Sequence, residues 1–302
     1  MKITELFHSV RPFPSLEIIP PLSGITKDEL LASIEPLMEF RPRYINVTTH
    51  RDEFQFTPLP DGTFRRTVVN SRVSPVAVCA SIQARFPVEV VPHIICGGQT
   101  AHDIERQLND FRFMGIDNVM ALRGDSLAGE KRFTATPGGY SYASELVCAI
   151  RKAGDFCIGV GAYPEKHFEA ANLEMDIAWL KHKVEAGANY IITQMFFDNE
   201  VFFRFEKRCR EAGITVPIIP GLKPLASARQ LRLLPESFSI DIPVALTEAV
   251  KEAGEDAEAI RRIGTEWCIR QCKGLLEHGV PAVHFYTMSK SRSVVEVLRS
   301  CF

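Results

Sequence analysis

Glu17 stands inside the apolar run Leu16-Glu17-Ile18-Ile19-Pro20-Pro21, where apolar neighbours would raise a carboxyl pKa and let the group donate a proton near neutral pH. A strand glutamate that faces solvent or an ion pair is the competing reading. Arg123-Gly124-Asp125 follows Ala121-Leu122, and a glycine between opposite charges lets backbone approach a planar or phosphorylated ligand; a tight turn with a local ion pair would look the same. Other polar groups follow apolar runs in the same way: Thr48, His93, Tyr163, Gln194, the segment after Pro220-Gly221, and His284 with Lys290. Farther on, Asp176, Trp179 and Lys183 share one helical face at i, i+3 and i+7, where they could meet His167 or form a solvated surface.

Several chemistries lack their residues. Gly159-Val160-Gly161 has only two glycines of a dinucleotide fingerprint, and Glu130 stands where a P-loop needs lysine. There is no HxH or HExxH pair for a metal and no nucleophile elbow for a serine triad. The eight cysteines form no CxxC pair and fall mostly in apolar segments, as buried thiols do; Cys268 and Cys272 are spaced for one helix face.

The elements that must position these groups repeat. At Gly115, Gly154, Gly187, Gly213 and Gly279 an amphipathic helix ends in glycine, and an apolar strand begins within a few residues. Continuous apolar strands suit a parallel sheet covered on both faces. Residues 104, 108, 111 and 115 form one helical face, and residues 173, 177, 180 and 184 another. Strands at 16–20, 44–48, 90–95, 119–122, 157–161, 190–193, 216–220 and 282–286 supply the eight of a closed barrel. The expectation is therefore a (β/α)8 barrel over 1–302 as one domain, with its active site at the C-terminal strand ends. Alternation around Pro60-Asp61-Gly62 predicts a hairpin inserted at 51–72, after the second strand, and 225–279 should hold at least two helices, one near 256–277.

With 35 Lys and Arg against 37 Asp and Glu, the net charge of −2 gives no footprint for nucleic acid or an anionic membrane. No apolar run approaches the ~20 residues that span a bilayer, and the N-terminus lacks a signal-peptide core. These features predict a cytoplasmic protein with small-molecule partners; a homo-oligomer is among the states the sequence allows.

Read together, the strand ends resemble the 5,10-methylenetetrahydrofolate reductase family of flavin-dependent barrels. The resemblance spans nearly the whole chain and is carried by LEIIPP (16–21), NVTTH (46–50), VPHIIC (91–96), ALRGD (121–125), YSYASEL (140–146), AYPEKH (162–167), DIAWLKHKVEAGA (176–188), ITQMFFD (192–198), IIPGLKPL (218–225) and HFYTM (284–288). It implies that Glu17 is the acid that protonates the folate and that Asp125 lies between flavin and folate. Thr48, Thr49, His93, Arg123, Gly124, Tyr142, Ala143, Tyr163, His167, Asp176 and Lys183, with Asp125, would line a noncovalent FAD. Gln194 would contact folate and nicotinamide in turn, with Gln230 and Lys290 also at the substrates. Trp179 and His182 replace an asparagine and an arginine of the bacterial pattern, Leu234 replaces a phenylalanine and Lys290 an arginine. No C-terminal regulatory domain is expected within 302 residues.

The implied reaction is ping-pong. NADH or NADPH reduces FAD and leaves, and 5,10-methylenetetrahydrofolate is then reduced to 5-methyltetrahydrofolate, with Glu17 as acid and Asp125, anionic beside Arg123, stabilising the cation. A flavin-free aldolase or epimerase barrel using Lys223 as a Schiff-base lysine is the alternative. A catalytically dead subunit would not need Glu17, Asp125 and Gln194 together.

Overall fold

In the computed structural model, residues 1–126, 132–287 and 291–302 are described. Lys290, Met288 and Glu130 lie outside them.

Eight parallel strands close a barrel in the order β1-β10-β9-β8-β7-β6-β5-β2. They are β1 (Phe13–Ile18), β2 (Tyr44–Val47), β5 (Glu89–Ile95), β6 (Asn118–Leu122), β7 (Cys157–Ala162), β8 (Tyr190–Met195), β9 (Ile218–Leu222) and β10 (Ala282–Tyr286). The expected strands are all present, with boundaries shifted by up to three residues, and β8 runs two residues beyond the expected Thr193. Strand β1 begins three residues before the expected Leu16, and β9 lies two residues later than expected.

Helices α2 (Lys27–Met38), α3 (Pro75–Arg85), α4 (Ala101–Phe113), α5 (Ala143–Ala153), α6 (Leu173–Glu185), α7 (Asn199–Glu211), α10 (Ala257–His278) and α11 (Arg292–Cys301) surround the barrel. Ile104, Leu108 and Phe111 of α4, and Ile177 and Leu180 of α6, are buried, as their spacing predicts. The glycines at 115, 187, 213 and 279 adopt positive φ, the left-handed conformation that ends a helix. Gly154 instead closes α5 in an extended conformation at φ 166°. The 225–279 region holds three helices: α8 (Gln230–Phe238), α9 (Val244–Glu252) and α10, the last capped by the Asp256 carboxylate. Among the described residues no helix is long and apolar enough to cross a membrane.

The insertion is an antiparallel hairpin of β3 (Glu53–Pro58) and β4 (Phe64–Asn70), with every residue of both strands exposed. At its turn Asp61 accepts hydrogen bonds from the backbone N–H and hydroxyl of Thr63.

The period of two along each strand divides the residues between two cores. Leu16, Ile18, Ile45, Val47, Val283 and Phe285 face outward, into the layer between sheet and helices. Tyr44, Val91, Met120, Cys157, Tyr190, Ile192, Ile219 and Ala282 form a second, inner cluster, joined by Ile3 and Leu6 of the short helix α1 (Ile3–Leu6). This floor is apolar. Above it, the next alternate positions are polar and buried: Ser15 over Phe13, Asn46 over Tyr44, His93 over Val91 and His284 over Ala282.

The Tyr190 hydroxyl is buried in this floor with no hydrogen-bond partner among the described residues, and burial raises its pKa well above the usual phenol value. An unpartnered buried hydroxyl costs about 1–3 kcal/mol, so Tyr190→Phe should stabilise the protein by about 1 kcal/mol or more. A higher urea midpoint at unchanged slope would show it, and a lower midpoint would mean that the hydroxyl has a partner.

Candidate functional site

The strand register sets the centre of the barrel mouth. Glu17 pairs with Tyr286 on one side and Asn46 on the other, while Ser15 pairs with His284 one step below. Two imidazoles flank the Glu17 carboxylate: His93 Nε2 lies 3.7 Å and His284 Nε2 4.0 Å from Oε2. His284 is fully buried, its Nδ1 sharing a hydrogen bond of 2.9 Å with the Ser15 hydroxyl while its Nε2 has no partner within hydrogen-bond length among the described residues. Asn46 Nδ2 is 3.2 Å from His93 Nε2, and Thr48 Oγ1 2.9 Å from His50 Nε2.

This surrounding corrects the expected direction of the Glu17 pKa. Burial is the largest influence and raises it, but His284, His93 and His50 together outweigh burial, and the carboxyl lies below its ordinary value. The residues adjacent to Glu17 in the chain are apolar, but those adjacent in space are imidazoles. Burial in turn pushes His93 down to about 4, so near neutral pH it faces Glu17 as an uncharged ring and its pull on the carboxylate is weak.

Around one side of this centre lies a continuous arc of polar groups. Thr49 donates to the His93 carbonyl at 2.5 Å. Gly124 has φ +83°, and a Cβ there would sit 3.3 Å from Ile95, so this position suits glycine on both counts. Asp125 is exposed at the rim, its carbonyl accepting from Arg51 at 3.2 Å. Arg123 pairs with Glu169 at 2.5 Å and packs over Phe133, so the expected Arg123–Asp125 partnership is corrected; Glu169 is a residue that sequence reasoning missed.

The loop after β7 completes the arc. His167 donates its backbone N–H to Asp176 of α6 at 2.8 Å, and its ring meets Tyr163 edge-on at 4.7 Å. Burial raises the Tyr163 phenol to about 12 and lowers His167. Lys183 Nζ donates to the Gly161 carbonyl at 2.5 Å; burial lowers its pKa to about 8, which leaves a cation at neutral pH. The helical spacing thus brings His167, Asp176 and Lys183 together. Tyr142 and Ala143 open α5, and the Tyr142 ring lies parallel to Trp179 of α6.

On the opposite side, Gln194 is the fifth residue of β8, inside the strand, and its Oε1 accepts from the Met195 N–H at 2.9 Å. Gln230 begins α8 and its Oε1 accepts from the Ala226 N–H at 2.6 Å, which ties the preceding loop to the helix start. Leu234 is buried with Met195, Phe197 and Leu225. Lys223, just beyond β9, is buried, with 8% of its surface exposed.

The alternation along β1 could have revealed Ser15 as the inward neighbour of Glu17. Pairing of Arg123 with Glu169 has no local signal. Among the described residues no group of three or more His, Cys, Asp or Glu could hold a metal. Six cysteines are buried, Cys301 is half-buried and Cys148 is exposed, which corrects the expectation for that thiol.

A Clostridium thermocellum protein described as binding two copies of 5-methyl-5,6,7,8-tetrahydrofolic acid superposes with a TM-score of 0.66 at 14% identity, covering 100% of this chain and 98% of that one. Phosphonopyruvate hydrolase superposes with a TM-score of 0.52 at 12% identity, covering 98% and 83%. At such identities the likeness is one of fold. Sequence comparison reaches further. The chain is 32% identical over 277 residues to 5,10-methylenetetrahydrofolate reductase of Escherichia coli, covering 92% of this chain and 86% of that one. It is 32% identical to methylenetetrahydrofolate reductase (NADH) 1 of Arabidopsis thaliana and 30% identical to the probable NADPH enzyme of Caenorhabditis elegans, covering 94% and 99% of this chain. It spans about half the length of these two relatives, 47% and 43%. A family model described as methylenetetrahydrofolate reductase matches residues 2–301, and the chain belongs to that family.

Proposed function

We propose that this protein reduces 5,10-methylenetetrahydrofolate to 5-methyltetrahydrofolate at the barrel mouth, using NADH or NADPH and a noncovalently bound FAD in a ping-pong cycle. The observation that carries this reading is Glu17 between two imidazoles, in a polar layer over an apolar barrel floor, in a chain of this family. The arc from Thr48 to Lys183 has the chemistry a flavin dinucleotide needs. Gly124 opens the backbone for close approach, Lys183 supplies a cation beside β7, and Tyr142 and Trp179 present flat apolar faces. Thr48, Thr49, His93, Arg123, Gly124, Asp125, Tyr142, Ala143, Tyr163, His167, Asp176 and Lys183 would hold it. When bound, the flavin supplies hydride transfer between nicotinamide and the folate carbon.

The rest is the work of this chain's side chains. Glu17, whose neighbours keep the free carboxyl below its ordinary pKa, would take up a proton at Oε2 as the substrate binds and excludes water, and deliver it to the folate nitrogen whose bond to the one-carbon unit breaks. Asp125, at the rim and left by Arg123, which pairs with Glu169, would face the cation formed on ring opening. The Gln194 amide would contact each substrate in turn, with Gln230 and Lys290 also contacting the substrates.

The protein should purify yellow, with nearly one FAD per chain, and acid precipitation should leave the flavin in the supernatant. Colourless protein that takes up no added FAD would exclude this reading.

A further inference from the structure

The inserted hairpin is joined to the barrel mouth by an arginine at each end. Beyond β4, Arg72 donates to the Pro20 carbonyl at 2.8 Å. Before β3, Arg51 turns away from the hairpin and reaches across the mouth. Its Nη2 donates to the Asp125 carbonyl at 3.2 Å, and its guanidinium lies 6.0 Å from the centre of the Phe133 ring.

Two glycines make the seat of Arg51. A Cβ at Gly97 would fall on Arg51 Nη2, and one at Gly98 would sit 3.2 Å from its Cδ and Nε, so the side chain lies directly on the backbone that leaves β5. That backbone is bonded to the segment Arg51 holds, since the Gly97 N–H donates to the Arg123 carbonyl at 3.1 Å. Arg123 also lies over Phe133, at 5.0 Å, and its partner Glu169 accepts the Phe133 N–H at 3.5 Å. Residues 123–125 are thus framed from the exits of β2, β5 and β7. Within the frame Gly124 turns the chain at φ +83° between Arg123, fixed by Glu169, and the exposed Asp125. Glycine has the most backbone freedom of any residue, so fixing Arg123 does not by itself fix Asp125. The bond from Arg51 does, because it holds the peptide on the far side of the Asp125 side chain.

We propose that Arg51, seated on Gly97 and Gly98, is a positioning residue that holds the Asp125 backbone so that its carboxylate faces the cation formed on ring opening. This rests on the reading of Asp125 given above.

Two variants separate the seat from the charge. Arg51→Ala removes both, whereas Gly97→Ala keeps the guanidinium and fills its seat; the atoms displaced are the end of a flexible side chain, so the backbone need not move. In stopped-flow reoxidation of the reduced holoenzyme, each variant should be about 10- to 100-fold slower at saturating methylenetetrahydrofolate, the cost of misplacing a group by about an ångström, with half-saturation nearly unchanged. In an Asp125→Asn background Arg51→Ala should slow the step no further, because it acts through that carboxylate. Losses that multiply, or a Gly97→Ala enzyme that reoxidises normally, would overturn the proposal. A raised half-saturation at an unchanged maximal rate would also overturn it, and would make Arg51 a ligand for an anionic group of the substrate. Amide hydrogen exchange in the flavin-free full-length protein reads the seat without the chemistry. The residue 97 amide, bonded to the Arg123 carbonyl, should exchange severalfold faster in Arg51→Ala, and unchanged exchange would overturn the positioning role. If the wild type takes up no flavin, or Asp125→Asn reoxidises normally, the reading above fails, and exchange alone then decides whether Arg51 holds this segment.

Discussion

Replacing Glu17 with glutamine is expected to slow reoxidation of the reduced enzyme by methylenetetrahydrofolate by about 10²–10⁴-fold, the usual worth of a general acid, while reduction by NADH proceeds nearly unchanged. The asymmetry follows from proton demand. Hydride transfer from nicotinamide needs no proton from Glu17, whereas opening the folate ring does. Glutamine keeps the shape of the side chain and can still hydrogen-bond near His93 and His284, but it has no acidic proton to give. Stopped-flow absorbance resolves the two steps. Equal slowing of both would make Glu17 a positioning residue, and an unaffected folate step would remove it from the reaction.

Truncation of Phe202 to alanine is the substitution expected to cost most stability, about 3–5 kcal/mol of the 5–15 typical of a folded protein. Phe202 of α7 is fully buried and stacks on Phe196 at 5.5 Å. The chain leaving β8 is held at the same place: Gln271 donates to the Phe196 carbonyl at 3.0 Å and Trp267 to that of Phe197 at 2.8 Å. A cavity there would loosen the exit of the strand that carries Gln194. Denaturant unfolding should show a much lower midpoint for Phe202→Ala and a smaller loss for Phe202→Leu, which keeps more of the volume. A change below about 1 kcal/mol in the alanine variant would mean that the site collapses around the missing ring.

Much of this architecture was legible because the barrel is built from local signals. Glycine-terminated helices and apolar runs placed all eight strands, and the Pro60-Asp61-Gly62 turn placed the inserted hairpin. The largest boundary shifts lie beside proline: Pro14 is inside β1 and Pro220 inside β9. The residues of the mouth were also legible, since strand ends can be listed from sequence.

What sequence could not supply was their pairing. The Ser15–His284 hydrogen bond joins residues 269 positions apart, and only barrel closure brings β10 beside β1. That same closure places imidazoles around Glu17, which reverses the expected direction of its pKa. Arg123 reaches Glu169 instead of Asp125 because the loop after β7 folds back over the end of β6, held by the His167–Asp176 bond.

In the proposed cycle one mouth serves both substrates in turn through a resident flavin. Anaerobic holoenzyme mixed with NADH or NADPH alone should lose its visible flavin absorbance. After the nicotinamide is removed, 5,10-methylenetetrahydrofolate alone should restore that absorbance, with 5-methyltetrahydrofolate formed in equal amount. Bleaching that requires folate to be present, or reduced enzyme that methylenetetrahydrofolate cannot reoxidise, would contradict the account.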